Sequence, residues 1–157
     1  RRIGLLRDPT NLGTTTVASA TTRRQIYATI FSSVSGTFTA DEELNQATTG
    51  AVAKVIEYDS TNLILYYYQT RFPDVGTDTN GNLTAISGAN AITGQSSSAT
   101  ATPNTSSSAT VNGVTFASGY ANPELAYDSG DIIYVEERSP ITRASDQTEN
   151  VKLIIEF

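Results

Sequence analysis

The chain has 157 residues, a net charge of −6, no cysteine and no histidine, and only 17% of its residues are charged. This length fits one domain, or one domain with an insertion, while the missing residue types exclude disulfides, thiolate metal sites and the usual general base. The negative charge disfavours nucleic acid and anionic membranes as partners, and no apolar run approaches the ~20 residues that cross a bilayer.

The first predicted elements are β-strands, because serine, threonine, alanine, glycine and asparagine dominate a composition that suits sheets joined by polar turns. One strand is predicted over residues 2–7 and ends at the turn of residues 8–11. A second strand is predicted over residues 24–31, where apolar side chains alternate, and Ser35-Gly36 ends this stretch.

The clearest predicted element is a β-hairpin whose strands cover residues 51–58 and 63–70. The turn between them is rich in Asp, Ser, Thr and Asn, whose side chains bond their own backbone. Tight turns are also predicted at Asn80-Gly81 and Asn112-Gly113, and the second of these closes a further hairpin.

The chain ends in two apolar runs. Four consecutive apolar residues at 132–135 predict a central strand that is buried on both faces. Because Pro140 cannot donate to a ladder, this strand should stop near Arg138. The run at 151–157 predicts a closing strand that is mostly buried.

An ordered motif covers the first run and the residues on either side of it. It comprises Ser129, Gly130, Asp131, Ile133, Tyr134, Glu136, Glu137, Arg138, Pro140 and Ile141, and it continues with Asp-Gln-Thr-Glu at 146–149 before the chain ends on Phe157. The motif resembles the C-terminus of a baseplate wedge subunit of T4-like contractile-tailed bacteriophages, and the strand at 2–7 is also similar to that family. The resemblance implies that a large N-terminal part is missing, and the absence of methionine likewise leads us to expect a fragment.

A faint internal repeat aligns residues 44–54 with residues 92–102 without gaps. Duplication and convergence of similar β-sequence explain it equally well. We predict an all-β fold of antiparallel sandwich-like or barrel-like sheets, in which strands from both ends form a parent sheet. The predicted domains are a discontinuous parent domain, 1–36 and 121–157, and an inserted β module, 37–120, that holds the two repeat units.

No pattern of residues predicts a catalytic or metal site. Asp41, Glu42 and Glu43 are adjacent, so we expect a solvated acidic turn rather than a carboxylate pair across a cleft. Residues 78–82 partly match a calcium loop, but its glycine and its closing glutamate are missing, which favours a plain turn. We therefore predict no metal and no cofactor.

Two groups of side chains are candidates for an interface. Tyr66 and Tyr68 share one strand face and could stack on a sugar or anchor a protein partner, although they could also cover the core of the module. Charged residues around the tail connection predict an ion-pair cluster that is either a docking surface or a fold lock. The candidate interface residues are Tyr66, Tyr68, Tyr134, Glu136, Arg138, Arg143 and Asp146.

The resemblance implies a structural protein of the virion tail baseplate, assembled in the host cytoplasm, that contacts other wedge proteins, forms a homodimer and carries out no catalysis. The alternative is a module of a phage tail that binds carbohydrate on the host surface. A hydrolase that uses only carboxylates would need two acidic groups across a groove, and no pair in the sequence favours that geometry.

Overall fold

The computed structural model describes residues 2–69, 83–126 and 129–137 of the chain. Within these ranges no helix is long and apolar enough to cross a membrane. The prediction of an all-β fold is confirmed. The strands are β1 (Arg2–Arg7), β2 (Tyr27–Ser35), β3 (Glu43–Gln46), β4 (Ala51–Asp59), β5 (Ile64–Tyr68), β6 (Ile92–Gly94), β7 (Thr100–Pro103), β8 (Thr110–Val111), β9 (Val114–Thr115), β10 (Tyr120–Ala121) and β11 (Asp131–Glu137).

Six strands close into an antiparallel barrel in the order β2, β5, β4, β3, β6 and β7, and β7 returns to β2. Closure depends on β2, which is nine residues long and pairs with β5 along one edge. Its other edge pairs first with β10 and then with β7. Because each barrel strand has two hydrogen-bonded neighbours, closure leaves no long free edge in this sheet.

The interior of the barrel is packed with small residues beside large ones, which is how a narrow barrel fills its inside. On β4 the inward residues are Ala51, Ala53 and Val55, all at most 2% exposed. A β-bulge between Val55 and Glu57 then interrupts the alternation and leaves Ile56 exposed. The barrel core comprises Phe31, Phe38, Leu44, Ala51, Ala53, Val55, Leu65, Tyr67, Ile86, Ile92, Ala99 and Ala101.

A second, smaller core lies on the outer side of β2 and β5. Phe116 is 2% exposed and packs there under the β8–β9 hairpin, together with residues of β10. We call this group the outer cluster. It comprises Ala28, Ile30, Ile64, Val114, Phe116 and Ala121.

The two aligned segments of the sequence repeat form equivalent hairpins, β3–β4 and β6–β7. The amide of Gly50 donates to the carbonyl of Gln46 over 2.9 Å, and the amide of Ser98 donates to the carbonyl of Gly94 over 3.0 Å. Gly50 and Ser98 occupy the same place in the alignment and have positive φ angles of 71° and 58°. A duplication would leave this shared geometry, and the duplication itself stays a prediction.

The strands at the two ends of the described chain pair with each other, as predicted. β1 and β11 form a separate two-stranded antiparallel sheet with a register shift between Leu5 and Leu6. The predicted closing strand at 151–157 lies outside the described residues. The division into a parent domain and an inserted module stays a prediction. Because β2 belongs to the barrel and β10 pairs with β2, both strands would lie in the module.

One prediction about β11 is wrong for the part of the chain that the structure describes. We expected residues 132–135 to be buried on both faces of a central strand. Instead β11 has only β1 beside it among the described strands, and its apolar side chains are exposed. The physical reason is that no other described layer packs against this two-stranded sheet.

Candidate interface

The β1–β11 sheet presents an unusual amount of apolar surface, and we call it the apolar ribbon. Six large apolar side chains are about half exposed or more, which is far from the scattered single exposures that are normal on a protein surface. Apolar surface of this kind marks sites of protein association. The exposed side chains are Leu5 (56%), Leu6 (49%), Ile132 (70%), Ile133 (62%), Tyr134 (47%) and Val135 (65%).

One side of the ribbon, the tyrosine face, combines apolar and polar groups. Leu5 and Tyr134 are cross-strand partners, so their side chains share this face. The hydroxyl of Tyr134 donates to a carboxylate oxygen of Glu136 over 3.1 Å. At the other end of the strand pair, a guanidinium nitrogen of Arg7 lies 2.6 Å from a carboxylate oxygen of Asp131. This face therefore has an apolar centre with charged groups at both ends.

The opposite side, the aliphatic face, carries Leu6, Ile132 and Val135. Leu6 pairs with Ile132. Gly4 lies two residues before Leu6 on the same strand, so Gly4 and its partner Val135 lie on this side as well. Leu6 and Ile132 also line a cleft of about 460 Å³ between the ribbon and the loops next to the barrel, which is lined as well by Pro9 and Leu125. The aliphatic face is thus continuous with an apolar cleft.

The structure places only part of the predicted interface on this ribbon. Tyr134 and Glu136 lie on β11, whereas Tyr66 and Tyr68 lie on β5 of the barrel. Arg138, Arg143 and Asp146 lie outside the described residues. Sequence reasoning missed the Arg7–Asp131 pair, although the antiparallel register of β1 with β11 would have brought these two residues opposite each other.

The tyrosines of β5 alternate as predicted. Tyr67 points into the barrel core and stacks on Tyr27 with 5.6 Å between ring centroids. Tyr66 packs against the outer cluster, where burial, and next the nearby carboxylates of Asp59 and Glu57, raise the pKa of its hydroxyl. The side chain of Tyr66 therefore packs within the protein, and both Tyr66 and Tyr68 are half-buried.

A hydroxyl-rich groove of about 430 Å³ lies on the outside of β2 and β7, where the register shifts between Phe31 and Val34. Ser32, Ser33, Thr102 and Asn104 are among its lining residues, none of which is aromatic. Sugar recognition commonly relies on an aromatic ring as a stacking platform. The groove therefore gives no specific support to the carbohydrate-binding alternative. Among the described residues no group of three or more acidic side chains could hold a metal ion.

The prediction of a solvated acidic turn at residues 41–43 is wrong for Glu42, which is buried. Its side chain is only 4% exposed, whereas Asp41 and Glu43 are exposed. Its carboxylate accepts hydrogen bonds from the amide of Thr39 (2.6 Å), the amides of Ser96 (3.1 Å) and Ser97 (2.9 Å), and the Ser97 hydroxyl (2.8 Å). The carboxylate therefore joins the β6–β7 turn to the loop before β3 through hydrogen bonds.

These hydrogen bonds determine the protonation of Glu42. Burial by itself would raise the pKa of the carboxyl group, but the bonds from Ser97, Thr39 and Ser96 outweigh burial and lower the pKa below the ordinary value of 4.5. The stabilisation from this carboxylate is therefore complete above about pH 4.5 and is lost as the pH falls through the lower folded-state pKa.

We expect the free energy of unfolding of the intact chain to decrease below about pH 4.5 more steeply than that of a Glu42→Gln variant, which has no carboxyl group to protonate at this position. Urea unfolding followed by circular dichroism between about pH 3 and pH 7 measures both curves. Equal slopes for the two proteins across the acid range would contradict this assignment.

Comparison with known protein families gives a match to this chain. The family model described as Phage-Gp8: Bacteriophage T4, Gp8 matches residues 66–157, which is more than half of the chain. The matched segment begins within β5 and includes β11 and the tail motif. No curated protein and no solved structure matches the chain.

Proposed function

The chain belongs to the family of bacteriophage T4 Gp8, a baseplate wedge protein, and from this membership we propose that the tyrosine face of the apolar ribbon contacts neighbouring wedge proteins. The family places the protein in the tail baseplate of the virion, as a structural component and not as an enzyme. Assembly with other baseplate proteins follows from the family. The contact surface is our proposal.

The observation that carries the proposal is the exposed apolar centre of the tyrosine face. Leu5 and Tyr134 are 56% and 47% exposed and are cross-strand partners. Aromatic and aliphatic anchors within a polar rim are the usual anatomy of a protein–protein interface. Here Glu136 at one end and the Arg7–Asp131 pair at the other supply the rim.

The charged residues that follow β11 extend this proposal along the chain. Arg138, Arg143 and Asp146 are close in sequence to Glu136, and we propose that they add charge complementarity to the same contact. Charges at the rim of an interface mainly speed association and select the partner, while adding little to the final affinity. A second copy of the chain is the alternative occupant of the tyrosine face, and a sedimentation experiment tests it.

We expect the double substitution Leu5→Asp and Tyr134→Ala to weaken binding to immobilised baseplate wedge proteins by about tenfold or more, because an apolar anchor is removed and a charge is placed in the contact. Biolayer interferometry with each wedge protein in turn measures the affinity. Val17→Asp is the matched control, since Val17 is 50% exposed but lies outside the ribbon.

Unchanged affinity of the double variant for every wedge protein that the intact chain binds would contradict the proposal. Sedimentation of the same variants tests the second occupant. A dimer of the intact chain that becomes a monomer on the double substitution would assign the tyrosine face to a second copy instead of a wedge partner.

A further inference from the structure

The two hairpins of the sequence repeat, β3–β4 and β6–β7, agree in register as well as in turn geometry. Leu44 pairs with Ala53 in the first hairpin, and the aligned residues Ile92 and Ala101 pair with each other in the second. All four side chains belong to the barrel core. Equal register and equal burial are what two copies of one hairpin would retain.

The turns of the two hairpins also share a hydrogen bond. The amide of Ala51 donates to the hydroxyl of Thr49 over 3.2 Å, and the amide of Ala99 donates to the hydroxyl of Ser97 over 3.1 Å. Thr49 and Ser97 are aligned in the repeat, as are Ala51 and Ala99. The likeness therefore reaches individual side chains.

Strand β5 follows the first hairpin around the barrel, and β2 follows the second in the same way. Tyr67 of β5 faces Val55 of β4, while Phe31 of β2 faces Pro103 of β7. Val55 and Pro103 continue the alignment by one position, and Tyr67 and Phe31 both lie in the barrel core. β2 is therefore the structural counterpart of β5, although it precedes both hairpins in the chain.

β10 occupies the place in the second half of the barrel that the end of β4 occupies in the first. Tyr120 pairs with Thr29, as Tyr58 pairs with Leu65, and both tyrosines pack against the barrel core. The segment between β7 and β10, which contains the β8–β9 hairpin, thus lies where the first half has the bulge at Ile56.

The two halves meet around an approximate two-fold axis. Asn45 of β3 pairs with Thr93 of β6, which is its own counterpart in the repeat. On the opposite side of the barrel Thr29 pairs with Leu65, and these are counterparts because each stands two residues before the core aromatic residue of its strand. Contacts in which residues face their own counterparts are characteristic of two-fold symmetry.

We propose that the barrel consists of two copies of one three-stranded unit, β3–β4–β5 and β6–β7–β2, and that these copies form interchangeable sites where β3 meets β6. In the second copy the third strand comes from the N-terminal side of the hairpins, which is the arrangement that circular permutation of a duplicated unit leaves. The inference is independent of the proposed contact with wedge proteins, because it concerns the barrel alone.

One end of the β3–β6 contact is closed by the carboxylate of Glu42. It accepts from the amide of Thr39 over 2.6 Å and from the hydroxyl of Ser97 over 2.8 Å. Gly94 provides the room, since a Cβ on this glycine would approach the Glu42 carboxylate oxygens and the Ser97 hydroxyl to 2.6 Å. Glu42 therefore fills space that a side chain at position 94 would take.

The other end of this contact is closed by the side-chain oxygen of Gln46, which is fully buried. It accepts from the amide of Ser87 over 2.9 Å and from the hydroxyl of Thr49 over 2.8 Å. Ser87 and Thr49 are the counterparts of Thr39 and Ser97. Equivalent donors thus hold one acceptor group at each end.

The two ends differ in the position that supplies the acceptor. Gln46 is the counterpart of Gly94, whereas the counterpart of Glu42 is Asn90. Gly94 does not have the positive φ that would require a glycine. A glutamine at position 94 should therefore replace Glu42 as acceptor once the carboxylate is removed, because the donors there match those around Gln46.

A pair of substitutions in the intact chain tests this exchange, with urea unfolding as the measurement. Gly94→Gln alone should lower the urea midpoint, because the added side chain collides with Glu42. In the Glu42→Ala background the same substitution should instead raise the midpoint and recover about half of what Glu42→Ala loses, since the new amide oxygen accepts from Thr39 and Ser97.

Gly94→Met in the Glu42→Ala background is the matched control. Methionine resembles glutamine in length and lack of branching but carries no amide acceptor, so it should not raise the midpoint. If Glu42→Ala alone does not fold, the return of a cooperative unfolding transition with Gly94→Gln becomes the readout. The reciprocal pair, Gln46→Gly with Asn90→Glu, applies the same test to the second site.

Two results would overturn the proposal. In the first, Gly94→Gln in the Glu42→Ala background and Asn90→Glu in the Gln46→Gly background both fail to raise stability, so the sites are not interchangeable. In the second, glutamine and methionine at position 94 raise the midpoint equally, so the gain comes from filling space and not from an equivalent acceptor.

Discussion

Replacing Glu42 by alanine is expected to lower the free energy of unfolding by about 3–5 kcal/mol, because several hydrogen bonds to a buried charge are lost together. The carboxylate accepts from the amides of Thr39, Ser96 and Ser97 and from the Ser97 hydroxyl. Without it, donors in a site that is almost closed to water lose their acceptor. Urea denaturation near pH 7 measures the loss.

Glu43→Ala is the matched control for this experiment. Glu43 is adjacent in sequence and carries the same charge, but it is exposed, so its replacement should change stability by less than about 0.5 kcal/mol. Glu42→Gln separates charge from shape, since it keeps one oxygen acceptor and presents an amide group to the remaining donors. Similar losses for Glu42→Ala and Glu43→Ala would refute the anchoring role.

The sequence did contain a signal for the burial of Glu42, in its spacing from other residues. Glu42, Leu44 and Gln46 occur at alternate positions, and all three are buried. Alternation along the start of β3 therefore assigns Glu42 to the inner face. The adjacent acidic residues also form a charge run, and a charge run predicts exposure, which conflicts with this period of two.

Local patterns were sufficient to predict the hairpins, whereas the pairing of the terminal strands was expected from the family resemblance. The β4–β5 hairpin follows from alternation and from the Asp59 turn, where the carboxylate accepts from the amides of Thr61 and Asn62, at 3.0 Å in each case. The β8–β9 hairpin follows from Asn112-Gly113, both of which have positive φ. In each element, nearby residues determine the structure.

Barrel closure could not be predicted in the same way. The pairings of β2 with β7 and of β3 with β6 join segments that are far apart in sequence, and no short motif specifies their register. The bulge at Ile56 is a similar case, because regular alternation would have placed Tyr58 on the face of Ile56. Instead Tyr58 packs against the barrel core and contacts Phe38 edge to face at 5.5 Å.

The exposure of the candidate interface could not be predicted from local patterns either. The apolar run at 132–135 correctly indicated a strand, yet burial depends on which layer covers it, and a strand pattern carries no information about that layer. Tyr66 and Tyr134 were both candidate interface residues, one on the predicted hairpin and the other in the tail motif. The chain topology separates them into the barrel and the ribbon.

The second large expected loss of stability concerns the outer cluster, which is separate from the barrel core. We expect Phe116→Ala to lower the free energy of unfolding by about 3–5 kcal/mol, as is usual when a buried aromatic side chain is removed and a cavity remains. Phe116 is 2% exposed and links the β8–β9 hairpin and β10 to the outer side of β2 and β5. Thermal and urea unfolding both measure this change.

Ile56→Ala is the control, because Ile56 is also a large apolar residue but is 41% exposed at the bulge of β4. Its replacement should cost less than about 1 kcal/mol. If Phe116→Ala is as mild as Ile56→Ala, the outer cluster is not a second core. Because β2 and β5 contribute residues to both cores, loss of Phe116 should weaken the whole barrel in one cooperative transition and not release the hairpin alone.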